Sequence, residues 1–101
     1  MDSYLLSVAC KNAIIDYLRE NKEIQDENIR LSIKDIYVVW SVKALQNNKY
    51  LLSTTLPDGL YYEMTYNGDK EELYVDVYKK WKNYVIKKED FNYVVEEYYD
   101  I

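Results

Sequence analysis

The sequence predicts one α+β domain spanning residues 1–101, with an N-terminal helix, a four-stranded antiparallel β-meander and a short C-terminal helix. Three observations point there. An apolar stripe at helical spacing opens the chain. Runs of β-branched and aromatic residues fill its middle, separated by Asn-Asn, Pro-Asp-Gly and Asn-Gly turn signals. A chain of 101 residues also supports one hydrophobic core and no more.

Asp2 or Ser3 can cap a helix over 3–20 whose inward stripe is Leu6, Cys10, Ala13, Ile14 and Tyr17. The polar stretch Asn21 to Asn28, interrupted by Ile24, reads as the connection out of it. From Ile36 to Leu45, alternation places Ile36, Val38, Trp40, Val42 and Ala44 on one strand face. Asn47-Asn48 supplies a tight turn, and Tyr50 to Thr55 is the returning strand. Pro57-Asp58-Gly59 turns the chain again into a third strand, Leu60 to Tyr66. Asn67-Gly68-Asp69-Lys70 then leads to a fourth strand, Glu72 to about Tyr78, with Asn and Gly accepting positive φ. Asp90 can cap a final short helix with Phe91, Val94, Val95 and Tyr98 on one side. Helices are expected over one face of the meander, where Leu60, Tyr62, Met64, Leu73, Val75 and Val77 join Val38 and Trp40.

Composition narrows the chemistry. Hydrophobic residues make up 49% of the chain, with two glycines and one proline, which favours autonomous folding over disorder. There is no histidine, so Ser/His and Cys/His nucleophile pairs and histidine-ligated metals have no donors. Cys10 is the single cysteine, which excludes an internal disulfide and fits a reducing compartment; its apolar surroundings read as core packing. The net charge of -5 works against general nucleic-acid binding. With no basic leader and no membrane-length apolar run, the expectation is a cytoplasmic protein, not membrane-bound.

Pleating sends Tyr37, Tyr61, Glu63, Thr65, Tyr74, Asp76 and Tyr78 to the other sheet face, an aromatic surface studded with carboxylates. Thirteen tyrosines in the chain make that face a candidate binding surface, since tyrosine offers contact area at low entropic cost and tolerates water. The alternative is that the rings pave a half-exposed sheet as stabilising cross-strand pairs. Lys79, Lys80, Trp81, Lys82, Lys87 and Lys88 form a second candidate, because aromatics beside ammonium groups suit single-stranded nucleic acid; the same lysines can equally guard a strand edge. Glu63 and Asp76 could be imagined as an acid/base pair or magnesium site. No glycine-rich phosphate loop or further motif accompanies them, so no enzyme and no cofactor are expected. Glu89 to Ile101 holds five carboxylates and no base, and carboxylates set among tyrosines can imitate nucleic acid toward a basic partner.

Val38-Val39-Trp40, Lys43-Ala44-Leu45-Gln46-Asn47, Leu52-Ser53-Thr54-Thr55, Asp58-Gly59, Tyr61-Tyr62-Glu63, Thr65 to Lys70 and Tyr78-Lys79-Lys80 together resemble a family of small uncharacterised phage and prophage proteins of Gram-positive bacteria. The likeness runs from Val38 to Ile86 and leaves the first 30 residues and the acidic tail outside it. It implies an origin, and the family carries no established activity to transfer to named residues. The expected role is a non-enzymatic accessory protein that binds a host protein, such as a defence nuclease, as anti-CRISPR proteins do, through Tyr61, Glu63, Tyr74, Asp76 and Tyr78. A nucleotide or single-strand binding module using the lysine cluster is the alternative, and self-association through the aromatic face remains open.

Overall fold

The computed structural model describes residues 2–21, 30–96 and 98–100. Its first element is a helix, α1 (Ser3–Glu20), capped by Asp2, whose carboxylate accepts from the Tyr4 amide at 2.7 Å. The helix closes at Asn21, which donates from both its backbone and its side-chain amide to the Tyr17 carbonyl. Leu6, Cys10, Ile14 and Leu18 are buried at a spacing of four, with Ala13 and Tyr17 partly buried beside them. Leu18 thus extends the expected stripe by one turn. The expected connection at 21–28 lies, beyond Asn21, outside the described residues.

A 3-10 turn (Ile33–Asp35) precedes the sheet, held by reciprocal capping: the Ser32 hydroxyl accepts from the Lys34 amide and the Asp35 carboxylate accepts from the Ser32 amide at 2.9 Å. The strands β1 (Ile36–Ala44), β2 (Asn47–Thr54), β3 (Leu60–Asn67) and β4 (Glu72–Lys79) form one antiparallel sheet in sequence order. Helix α1 covers one face. Its buried side chains join Ile36, Tyr50, Leu52, Tyr62 and Met64 in the core, and Tyr17 meets Tyr62 edge to face at 6.0 Å.

Two turns differ from expectation. The first hairpin closes at Leu45–Gln46, with Ala44 paired to Asn47, so Asn47 and Asn48 belong to the ladder. Leu45 takes φ 54 to make that turn, an unfavourable conformation for a branched residue by about 1 kcal/mol. Added ladder pairs offset this, as does a tie in which the Gly68 amide donates to the Gln46 carbonyl at 3.1 Å. That tie also explains Gly68. A Cβ there would collide with the Gln46 carbonyl oxygen, so glycine serves close approach and not positive φ. The third connection accordingly is not a two-residue Asn-Gly turn. The Asn67 side chain accepts from the Asp69 and Lys70 amides, and Glu71 takes the positive φ. The Pro57-Asp58-Gly59 turn forms as expected, with Gly59 at φ 70 and the Asp58 carboxylate accepting from the Leu60 amide.

The C-terminal helix does not form. Lys88–Asp90 makes a single 3-10 turn, and Phe91 is already extended. So short a segment needs a buried face to be helical, and Phe91, Val94, Val95 and Tyr98 are all exposed. The Asn92 side chain also accepts from the Val94 amide at 3.0 Å, a local turn that competes with helical bonding.

Candidate functional site

The register of the sheet builds the uncovered face row by row. In antiparallel strands, directly paired residues share a face. One row reads Tyr37, Ser53, Tyr61, Tyr78; the next reads Trp40, Leu51, Glu63, Asp76; the third reads Val42, Lys49, Thr65, Tyr74. All five expected contact residues, Tyr61, Glu63, Tyr74, Asp76 and Tyr78, therefore lie together on β3 and β4. At about 4.8 Å per strand and about 3.3 Å per residue, these three rows cover roughly 300 Å², the size of the largest patch on an ordinary monomer.

Trp40 and Val42 were expected beneath the helix and are found on this open face instead. The cause is a β-bulge: Val38 pairs with Leu52 and Trp40 with Leu51, leaving Val39 as an extra residue. One inserted residue inverts the alternation of everything after it. Ile36 keeps its place in the core, while Trp40 stays 44% exposed. Sequence alternation alone cannot reveal such an insertion. Lys49 and Leu51 were not among the expected residues of this face, although their alternation with the buried Tyr50 and Leu52 could have placed them there.

Electrostatics give the face a centre. Glu63 and Asp76 are directly opposed on adjacent strands, an arrangement of like charges that destabilises the pair. Lys49 relieves one of them, its ammonium lying 3.1 Å from the Glu63 carboxylate. Asp76 has no ion pair among the described residues. Below it, the Tyr74 hydroxyl donates to Glu72 at 3.3 Å; desolvation, followed by the charge and hydrogen bond of Glu72, holds that hydroxyl above the ordinary phenol pKa. Tyr61 and Tyr78 close the other side of the carboxylate pair. No cluster of three or more acidic or sulfur ligands suited to a metal occurs among the described residues.

The lysine set is arranged differently. Lys79 ends β4, and the Lys80 amide donates to the Gly59 carbonyl at 2.7 Å; beyond it the chain is exposed and without strand pairing. Trp81 is 96% exposed, and the Lys82 ammonium stands 5.6 Å from the Tyr84 ring centre. Lys87 precedes the 3-10 turn and Lys88 begins it. From Lys80 onward these cations are strung along exposed chain.

No described helix is long and apolar enough to cross a membrane. No curated protein and no solved structure matches the chain significantly. A family model does match, and it reaches back through most of α1, well beyond the segment from Val38 to Ile86 that carries the sequence resemblance. With residues 7–88 covered by that model, the chain belongs to the family of unknown function DUF6275.

Proposed function

We propose that this is a non-enzymatic accessory protein of phage or prophage origin that binds a host protein, inhibiting a defence or nucleic-acid-handling factor through its open sheet face. One observation carries the reading: the opposed Glu63 and Asp76 carboxylates sit between tyrosines with a single lysine to balance them. A partner that brings an arginine or lysine to Asp76 relieves the like-charge strain and buries Tyr61, Tyr74 and Tyr78 around the new ion pair. Basic groups that normally meet phosphate and bases are suited to such a surface. The phage assignment rests on the Val38 to Ile86 resemblance.

The test is affinity capture of tagged protein from a nuclease-treated lysate of a Gram-positive host, comparing wild type with the Tyr74→Ala/Asp76→Asn double variant. Recovery of a stoichiometric partner is expected to fall about tenfold or more in the variant, while the circular dichroism spectrum stays unchanged. Equal recovery by both proteins defeats the proposal. The exposed Trp81 between Lys80 and Lys82 favours a second reading, single-strand binding by the arm. It requires a salt-sensitive anisotropy change with a labelled oligonucleotide, and fails if none appears at low ionic strength.

A further inference from the structure

Asp76 is the carboxylate of the open face that the chain leaves unanswered. Glu63, directly across from it, is held at Oε1 by the Lys49 ammonium, which comes from the β2 side. Among the described residues Asp76 has neither an ion pair nor a side-chain hydrogen bond, so all its lone pairs are open. Its neighbours on the face are rings. Tyr74 and Tyr78 lie two residues away on either side along β4, each at about 7 Å, and Tyr61 faces Tyr78 from β3. The Tyr74 hydroxyl is committed to Glu72, on the far side from Asp76. The carboxylate is thus bordered by aromatic surface and not by donors. Access is free as well, because β4 is an outermost strand and Tyr74, Asp76 and Tyr78 are all exposed.

We infer that the group this site takes from its partner is an arginine guanidinium, in preference to a lysine ammonium. The inference rests on the open face being a binding surface, and it names the chemistry of the central contact. Net charge treats the two cations alike; shape and hydration do not. A guanidinium is planar and holds its N–H donors in a fork that matches two carboxylate oxygens, so it meets Asp76 through two parallel hydrogen bonds. Its remaining donors reach toward Glu63, about 5 Å away across the strand pair. Its flat, weakly hydrated faces lie against the tyrosine rings on either side. An ammonium is more strongly hydrated and acts as a point charge, as Lys49 does in its 3.1 Å contact with one oxygen of Glu63. The occupant is therefore an exposed, arginine-bearing segment of a partner protein.

Fluorescence anisotropy of the purified full chain with two labelled peptides, tetra-arginine and tetralysine, tests this at one ionic strength. The peptides carry equal charge, so attraction to the net charge of -5 cancels in the ratio of their affinities. The arginine peptide is expected to bind about fivefold tighter or more. Asp76→Asn and the double variant Tyr74→Leu/Tyr78→Leu are each expected to bring the two affinities together. Asp90→Asn, which removes the same charge from the exposed arm, is expected to leave the ratio unchanged. Equal affinities in wild type, binding of neither peptide in the millimolar range, or a preference that survives Asp76→Asn overturns the inference. Equal affinities do so even where capture of a host protein still depends on Tyr74 and Asp76, so this failure is distinct from failure of the proposed function.

Discussion

Cys10 shows how a single residue reports on the core. Its thiol is fully buried, and burial pushes its pKa from 9.0 up to about 11, so the thiolate is withheld in the folded state. The unfolded chain ionises first as pH rises. The contribution of the thiol to stability is therefore intact below pH 9 and is lost as pH climbs toward 11, by about 2 kcal/mol at the upper end. Tyr50 is also raised, first by burial and then by its neighbour Cys10. Comparison with Cys10→Ala isolates the thiol. Urea midpoints are expected to fall more steeply between pH 8.5 and 10.5 in wild type than in the variant; parallel slopes would mean that Cys10 titrates alike in both states. The N-terminal stripe that buries this residue was readable directly, because a spacing of three and four places side chains on one helix face whatever lies opposite.

At the scale of elements, β1 departs furthest from its sequence pattern, and the departure is one residue. Because Val39 is the extra residue opposite the ladder, removing it leaves Val38 on Leu52 and Trp40 on Leu51. Deletion of Val39 is expected to be tolerated within about 1 kcal/mol, with Trp40 still half-exposed in its emission spectrum. Deletion of Glu63 from the regular strand β3 should not be tolerated. It turns Met64 away from the core while Tyr62 stays, a loss of about 3 kcal/mol or more. Thermal melts of the two deletions distinguish a true bulge from an ordinary strand position. β2, β3 and β4 carry no such insertion, which is why the tyrosine and carboxylate positions 61, 63, 74, 76 and 78 fell on one face as alternation expects.

The whole molecule divides into a packed body and an arm. Its radius of gyration is 17.7 Å, against about 13 Å for a compact chain of this length. The described residues beyond Lys80 contribute no side chain to the core, and Trp81, Val85, Val95 and Tyr98 are exposed. A chain ending at Lys80 is therefore expected to fold as the full protein does, with stability changed by less than about 0.5 kcal/mol in thermal or urea unfolding. A large loss would show that the arm packs on the body.

The sequence by itself determined the order of the helix and strands, the helix cap, the Pro57-Asp58-Gly59 turn and the face on which the tyrosines and carboxylates of β3 and β4 lie. Each of these follows from a period of 3.6 or 2 or from the bonding habits of a few adjacent residues. Only the tertiary structure decided that Trp40 joins the open face, that the first turn falls on Leu45 and that residues 91–96 stay out of a helix. A bulge and a positive φ at leucine are locally unfavourable and persist because ladder pairs and core contacts from distant residues outweigh them. The final segment has the apolar pattern of a helix but no surface within the body to bury it, and pattern without burial leaves the backbone extended.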